Sequence, residues 1–293
     1  MKDKILVLGG SGLVGSRVVD LLSDQFDLIA PGHDQLDVTN AMQVKDGVEE
    51  IKPTLILYAA GFTDVDLAEQ KKEECLLLNV KAVEFFAAEA AKLNVPFYYL
   101  STDYVFDGTK EDRPYTEEDA PNPVDSVYAK SKRNGELVAL AGNSKNGVIR
   151  LIMPFSAVYK RKMDLPRLIL DKLKKGAKVT GIVDQKVNPI FVDDLVWGMA
   201  KILQNRASGI YHLGATSFTT PNGFIRQLAS KFNLPQNLVE DITFQKFSKT
   251  RKAKRPQNTW LDTTKFRTQF GDGILHTIEQ EISMFKSQVD SPG

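Results

Sequence analysis

The chain has few of the residues that would hold a disulfide, a metal or a membrane anchor. Its 293 residues include one cysteine, Cys75, which excludes an intrachain disulfide and suits a reducing compartment. The three histidines, His33, His212 and His276, are too scattered to indicate a metal site, so no metal is expected. No run of about 18 apolar residues occurs, and the run Ile5 to Leu8 is too short for a signal-peptide core. We therefore expect a cytoplasmic protein that does not enter a membrane.

The charge is nearly balanced. Lys and Arg number 38, Asp and Glu number 37, and the formal net charge is +1, so no overall field would recruit nucleic acid. The basic stretch Lys246 to Arg255 has too few aromatic neighbours for a nucleic-acid site. The hydrophobic fraction of 42% is ordinary for a globular protein, and the length suggests one large or two unequal domains. A small molecule is the expected partner.

A strand, a glycine loop and a helix open the chain. The apolar run Lys4 to Leu8 reads as a buried strand, and Ser16 to Leu22 reads as a helix. Between them, Gly9, Gly12 and Gly15 allow a sharp turn and a close approach of a pyrophosphate to the backbone. The helix would then offer its first amides to the phosphates. This context predicts a dinucleotide site.

Strands and helices then alternate along the first half. Alternation of this kind predicts right-handed crossovers and a doubly wound parallel sheet of the α/β (Rossmann) class. We expect a second, smaller mixed α/β substrate domain, assembled discontinuously. The predicted boundaries are residues 1–150 and about 191–215 for the dinucleotide-binding domain, and about 151–190 and 216–293 for the substrate domain.

Small and hydroxyl residues follow two of the predicted strands. Ala59-Ala60-Gly61 and Ser101-Thr102 lie where the ligand crevice of a parallel sheet is expected. The second strand ends without an immediate acid, and His33 is a weak positive partner there. Asp37 could cap the next segment or contact adenine. This pattern favours NADPH over NADH by a small margin.

Tyr128 and Lys132 are the candidate catalytic pair. The stretch Asp125 to Leu140 has few helix breakers, and helical spacing places the two side chains on one face. A cation beside a phenol favours the phenolate and brings its proton into working range at neutral pH. Tyr128 would then exchange a proton with a carbonyl group.

Together these motifs resemble the extended short-chain dehydrogenase/reductases. Within that group the chain most resembles the dTDP-4-dehydrorhamnose reductases. The resemblance is carried by the glycine loop, Asp37, Ala59-Ala60-Gly61, Asn79, Ser101-Thr102-Asp103-Tyr104-Val105-Phe106-Asp107-Gly108 and Tyr128-x-x-x-Lys132. The segment 151–160 differs, because it has no Trp where these reductases commonly carry one.

The resemblance implies a reaction and a set of residues. NADPH or NADH would reduce the 4-keto group of a nucleotide-activated deoxysugar, as in dTDP-4-dehydro-L-rhamnose to dTDP-L-rhamnose. Tyr128 would supply the proton, Lys132 would lower the pKa of Tyr128 and hold the nicotinamide ribose, and Thr102 would bind the carbonyl oxygen. The implied cofactor residues are Gly9, Gly12, Leu13, Val14, Gly15, His33, Asp37, Val38, Ala59, Ala60, Gly61, Asn79, Tyr128 and Lys132. The implied substrate residues are Thr102, Asp103, Val105, Phe106, Arg255 and Asn258.

Two other functions stay open at this stage. One is a noncatalytic NADP-binding regulatory subunit resembling that of methionine adenosyltransferase, although the intact Thr102, Tyr128 and Lys132 argue against a degraded site. The other is a sugar-nucleotide epimerase or dehydratase. Dehydratases usually have a Glu after the Asp that follows this Thr, and Tyr104 stands there instead. Assembly into a homodimer also stays open.

Overall fold

The computed structural model describes residues 2–291. Within these residues, eight strands form two parallel sheets, a six-stranded one in the order β2-β1-β3-β4-β5-β7 and a two-stranded one of β6 and β8. The strands are β1 Lys4–Leu8, β2 Asp27–Ile29, β3 Leu55–Tyr58, β4 Phe97–Thr102, β5 Gly147–Leu151, β6 Val179–Ile182, β7 Gly209–Leu213 and β8 Val239–Ile242.

Helices cover both faces of the large sheet. In chain order they are α1 Leu13–Leu22, α2 Ala41–Ile51, α3 Val65–Ala68, α4 Lys72–Leu76, α5 Ala82–Leu93, α6 Val127–Ala141, α7 Leu165–Lys174, α8 Val192–Gln204, α9 Pro221–Lys231, α10 Phe244–Ser248, α11 Thr264–Phe270 and α12 Ile278–Asp290. A π-helical segment, Leu77–Lys81, joins α4 to α5.

Alternate residues of the large sheet feed two hydrophobic cores. Ile5 and Val7 of β1 pack with α1 and α8, whereas Leu6 and Leu8 pack with α2 and α5 on the other face. Because both faces are covered, every residue of Leu55–Tyr58 is buried, which explains why the strands read as continuous apolar runs. The predicted doubly wound α/β fold is confirmed.

The strand order places the site. The sheet runs outward from β1 in two directions, to β2 on one side and to β3 on the other, and ligands of such sheets bind at this switch, outside the carboxyl ends of the strands. Thr102, at the end of β4, pairs in register with Leu151 of β5. The loops after β1, β3 and β4 therefore open at one edge of the sheet.

A smaller unit surrounds the sheet of β6 and β8. Helix α9 packs against both strands and against α7 and α12. Its core is aromatic, with the Phe155 ring centroid 5.4 Å from that of Phe224 and 5.6 Å from that of Phe285. The sequence reading did not identify these two strands. Strand β7 lies in the large sheet, and the predicted domain boundaries stay a prediction.

Among residues 2–291, no helix is long and apolar enough to cross a membrane.

Candidate active site

The glycine loop forms a tight turn after β1. Gly9 has a φ of +82°, and a Cβ on it would lie 2.6 Å from the Ala60 nitrogen, so Gly9 lets the loops after β1 and β3 touch. The Gly12 amide donates to the Gly9 carbonyl at 2.9 Å. A Cβ on Gly15 would lie 2.2 Å from the Gly9 oxygen. The predicted loop residues are therefore brought together.

The start of α1 fits a phosphate. The N-cap residue of this helix is Gly12, so no side chain in the described part of the chain caps it. Leu13 and Val14 are the first two residues of the helix. The N-terminal amides of a helix form a ready anion site when no side chain takes them. By contrast, Asn40 caps α2 by accepting from two backbone amides. The residues present here fit a dinucleotide pyrophosphate.

The loop after β2 holds the residues predicted to select the cofactor. His33 is exposed, and its Nδ1 lies 3.9 Å from Asp37 Oδ1. The same Asp37 oxygen accepts from the Thr39 amide at 2.9 Å and from the Thr39 hydroxyl at 2.7 Å, and these hydrogen bonds lower the pKa of Asp37. Val38 packs at the edge of the core. Asp37 thus closes a turn onto Thr39 just before α2, whose cap is Asn40, and its contact with adenine stays a prediction.

Asn79 lies in the π-helical segment and is fully buried. Its side chain accepts from the Phe62 amide at 2.8 Å, donates to the Phe62 carbonyl at 3.1 Å and donates to the Ser131 hydroxyl at 2.9 Å. A Cβ on Gly61 would lie 3.0 Å from its oxygen. Asn79 therefore joins the loop after β3 to α6, and its amide is used in holding the site together. π-Helical segments of this kind often mark functional sites.

Tyr128 and Lys132 lie on the buried face of α6. The helix begins after Ser126, whose hydroxyl accepts from the Ala129 amide at 3.2 Å. Tyr128 is 8% exposed and Lys132 is 6% exposed. The ammonium of Lys132 donates to the Leu100 carbonyl at 2.5 Å and lies 4.0 Å from the centroid of the Tyr99 ring. The predicted helical pair is thus anchored against β4.

Burial controls the protonation of this pair. It raises the pKa of the Tyr128 phenol well above its usual range, and proximity to the Thr102 hydroxyl opposes that rise. It lowers the pKa of Lys132 to about 7, while the nearby Glu136 carboxylate opposes the change. The sequence led us to expect a lowered Tyr128 pKa. The structure differs because desolvation dominates the shift, and the ammonium of Lys132 donates its hydrogen bond to Leu100.

Thr102 and Asp103 follow β4 and are buried. The Thr102 hydroxyl donates to Asp103 Oδ1 at 2.9 Å and accepts from the Tyr104 amide at 3.3 Å. Burial raises the pKa of Asp103 to about 6, and hydrogen bonds from Thr259 and Thr102 oppose the rise. Asp103 therefore accepts the one hydrogen bond that the Thr102 hydroxyl can donate, and the hydroxyl must turn before it can donate to a carbonyl oxygen in its predicted role.

Two predicted substrate residues, Val105 and Phe106, follow Asp103 in the chain and are buried. Val105 and Phe106 are fully buried in a small core. The Phe106 ring stacks on that of Tyr115 at 4.2 Å, and the guanidinium carbon of Arg150 lies 5.0 Å from the Phe106 ring centroid. Val105 and Phe106 are therefore packing residues in this structure, and their predicted contact with a substrate stays a prediction.

Arg255 and Asn258 lie on a segment from the carboxyl-terminal half. Arg255 forms a two-pronged ion pair with Asp66 of α3, at 3.0 and 2.9 Å. The guanidinium holds the pKa of Asp66 well below its usual range. The backbone N–H of Asn258 donates to the Gly108 carbonyl at 3.0 Å, and its side-chain oxygen accepts from the Lys186 backbone amide at 2.9 Å. Both residues thus fix this segment near the predicted substrate loop.

Sequence reasoning missed three charged residues that support the site. Asp66 anchors Arg255, and Glu136 and Arg150 form a fully buried ion pair behind Lys132. A signal existed for two of them, because Glu136 continues the four-residue spacing of Tyr128 and Lys132, and Arg150 is a lone charge in an apolar strand. No group of three or more potential metal ligands occurs among the described residues.

A Tyr and a Lys buried one helical turn apart, next to a dinucleotide-type loop, define the NAD(P)-dependent oxidoreductases of the extended short-chain dehydrogenase/reductase class, as the sequence predicted. The family follows from comparison with known proteins. The model described as RmlD substrate binding domain matches residues 2–288, so the chain belongs to that family. The nicotinamide cofactor that the sequence predicts is supported by a similar structure that contains NADP.

Three similar proteins illustrate the range of the family. Methionine adenosyltransferase 2 subunit beta of Xenopus tropicalis is 29% identical, over 94% of this chain and 87% of its own. The dTDP-4-dehydrorhamnose reductase of Aggregatibacter actinomycetemcomitans is 31% identical, over 92% and 93%. A crystal structure of dTDP-4-dehydrorhamnose reductase from Bacillus anthracis in complex with NADP has a TM-score of 0.89 at 25% identity, covering 98% of this chain and all of that one.

Proposed function

We propose that this protein is an NADPH-dependent reductase that converts the 4-keto group of a nucleotide-activated deoxysugar to an alcohol, as in dTDP-4-dehydro-L-rhamnose to dTDP-L-rhamnose. The observation that carries the proposal is the buried Tyr128 and Lys132 pair beside Thr102 at the end of β4. The reductase from Aggregatibacter actinomycetemcomitans and the NADP-bound structure from Bacillus anthracis support it.

The residues at the sheet edge would hold and orient the reactants. Gly9, Gly12 and the first amides of α1 would bind the pyrophosphate, and Lys132 would hold the nicotinamide ribose. When bound, the cofactor supplies a hydride to the carbonyl carbon. The chain itself contributes orientation, exclusion of water and the proton.

Tyr128 would donate that proton to the carbonyl oxygen as negative charge develops on it. The Thr102 hydroxyl, which donates to Asp103 in this structure, would turn to donate its proton to the same oxygen. The ketone then gains one hydride at carbon and one proton at oxygen, which balances the reduction. Charged Lys132 would lower the free energy of the phenolate that remains. Because the pair is buried, this electrostatic effect is larger than it would be in water.

NADPH is the proposed cofactor. A site for NADH uses an acid after β2 to bind the ribose 2′-hydroxyl. In the loop after β2 of this protein, the carboxylate of Asp37 is already hydrogen-bonded to Thr39. The exposed imidazole of His33 is better suited to a phosphate than to a hydroxyl. The direct test compares the dissociation constants of NADPH and NADH by fluorescence titration, and tighter binding of NADH would contradict the proposal.

The pH profile offers a second test. Because the pKa of Lys132 lies at about 7 and its charged form is the active one, we expect kcat/KM to be high below that pH and to fall as the pH rises through it. Tyr128 keeps its proton over this range, so its titration does not cause the fall. Steady-state kinetics across the neutral range measures the profile.

The control for this profile is Lys132→Arg. A guanidinium stays charged at every accessible pH, so the falling limb should disappear even if the absolute rate is lower. A wild-type profile that is flat from one pH unit below neutrality to one unit above would contradict the role given to Lys132.

Asp66→Asn tests the Arg255 segment. Asp66 pairs with Arg255 and also accepts from the Lys252 and Ala253 amides, at 3.1 and 2.9 Å. Loss of its charge should loosen this segment and raise the KM for the sugar nucleotide about tenfold, which is the usual worth of a charge-assisted hydrogen bond. Steady-state kinetics at saturating NADPH measures the change.

Asp125→Asn is the matched control, because Asp125 pairs with Lys254 of the same segment at 3.8 Å but both side chains are highly exposed. An exposed pair contributes little, so its KM should change less than twofold or so. Equal effects of the two substitutions would show that Asp66 has no special role in substrate binding.

A noncatalytic NADP-binding subunit is the second candidate function. It rests on the similarity to methionine adenosyltransferase 2 subunit beta over 94% of this chain. Under this alternative, NADPH binds tightly but no keto sugar is reduced, and Tyr128→Phe changes neither property. An NADPH oxidation assay with dTDP-4-dehydro-L-rhamnose separates the two functions, since only the reductase consumes the cofactor.

A further inference from the structure

Helix α6 carries a third buried residue in line with the catalytic pair. Tyr128, Lys132 and Glu136 are spaced by four residues, so their side chains lie along one face. All three are buried, and Glu136 is completely inaccessible. Neighbours at this spacing have Cβ atoms about 5–6 Å apart. Glu136 therefore follows Lys132 by one helical turn on the buried face of α6, while the ammonium of Lys132 donates to the Leu100 carbonyl.

Arg150 of β5 fixes the carboxylate from the opposite side. Its Nε donates to Glu136 Oε1 at 2.7 Å and its Nη2 donates to Oε2 at 2.8 Å. Its Nη1 lies 3.3 Å from His212 Nε2 on β7, and His212 Nδ1 lies 3.1 Å from the Tyr115 carbonyl. Burial and the Arg150 charge lower the pKa of His212 to about 3, so the imidazole is neutral and accepts from Arg150. All three nitrogens of the Arg150 guanidinium are thus engaged, by Glu136 and His212.

We infer that Glu136, held in place by Arg150, is a positioning residue that acts through Lys132 by keeping its ammonium charged for the reduction. This inference rests on the proposed function only for its catalytic consequence. The geometry carries it, since the two hydrogen bonds from Arg150 fix the Glu136 carboxylate on the buried face of α6 that also carries Lys132.

The other groups near Lys132 and Glu136 do not supply a comparable negative charge. Burial raises the pKa of Tyr99 on β4 well above its usual range, and it raises the pKa of the Cys75 thiol on α4. Both are therefore neutral near pH 7. Arg133 of α6 is positive and lies 3.1 Å from Glu136 Oε2. Glu136 is consequently the charge that opposes the desolvation of Lys132.

The decisive experiment is an NMR pH titration of the Lys132 side chain in protein labelled with ¹³C at the lysine ε-carbon. The signal is assigned by its loss in Lys132→Gln. We expect a wild-type midpoint near the value of about 7. Glu136→Gln should lower that midpoint by about one pH unit or more, because a buried ammonium loses its counter-charge. The falling limb of kcat/KM should move to lower pH by the same amount.

Two further variants make the result interpretable. Glu136→Gln leaves Arg150 buried without its carboxylate and is expected to be less stable. The double variant Glu136→Gln/Arg150→Met removes both charges, so it should fold better and show a midpoint that is lowered, but by less than in the single variant because a positive charge is lost as well. Glu89→Gln changes a buried glutamate of α5 that pairs with Lys92 at 2.6 Å, and it should leave the midpoint unchanged.

The titration needs no sugar substrate, so it separates this inference from the proposed function. A lowered midpoint without turnover of any keto sugar would uphold the inference and overturn the reductase. A wild-type midpoint in both the single and the double variant would overturn the inference, even if the enzyme reduces its sugar normally.

Discussion

Replacing Tyr128 with Phe should lower kcat by about 10²–10⁴-fold while leaving NADPH binding nearly unchanged. The substitution removes the proton donor but keeps the ring, whose edge contact with Tyr104 at 5.7 Å maintains the packing. Stopped-flow measurement of NADPH consumption gives the rate, and fluorescence titration gives the affinity. The loss should appear in kcat and in kcat/KM equally, because the proton is transferred only in the transition state.

Tyr98→Phe is the matched control. Tyr98 lies four residues before Thr102 on β4, its side chain packs in the core shared with α8, and its buried hydroxyl has no hydrogen-bond partner among the described residues. Removing that hydroxyl should leave kcat within about twofold and should not reduce stability. Near-normal turnover by Tyr128→Phe would contradict the mechanism, whatever the control shows.

Gly15→Ala should have the second large effect, on folding. The added Cβ would lie 2.2 Å from the Gly9 oxygen and 2.8 Å from the Gly9 carbon, and backbone atoms cannot move aside as a flexible side chain can. We expect a loss of about 1–3 kcal/mol or more, seen as a melting temperature lower by several degrees. NADPH binding should weaken as well, because the loop would open. Thermal unfolding with and without NADPH measures both effects.

Gly12→Ala in the same loop should separate stability from cofactor affinity. Its Cβ would lie 3.3 Å from the Gly9 oxygen, and its φ of −77° suits alanine. The melting temperature should therefore change little, whereas the dissociation constant for NADPH should rise about tenfold, since the second glycine is where the backbone approaches the pyrophosphate. Equal melting temperatures for the two variants would show that helix and strand packing does not require Gly15.

The first half of the chain was predictable because its signals are local. A few neighbouring residues were enough to predict each element, as with the apolar run of β1, the glycines that follow it and the four-residue spacing of Tyr128 and Lys132. Strands β6 and β8 gave no such signal. Each has four residues, one face of β6 is exposed at Thr180, and their pairing joins segments about 60 residues apart.

The supporting contacts of the site were unpredictable for a related reason. Asp66 and Arg255 are separated by 189 residues, and Arg150 reaches His212 across two neighbouring strands. Their partners follow from the three-dimensional packing. The pKa of Tyr128 was also misjudged, because the sequence shows the nearby cation but not the extent of burial, and burial has the larger effect here.

The central claim is that Tyr128 gives a proton to a keto sugar while NADPH is consumed. The most direct measurement incubates the protein with NADPH and dTDP-4-dehydro-L-rhamnose, follows the reduced cofactor by its absorbance, and identifies the sugar product by NMR. The account predicts one NADPH oxidised for each 4-hydroxy sugar formed, and almost none of either with Tyr128→Phe. Tight NADPH binding with no oxidation and no new sugar would contradict it.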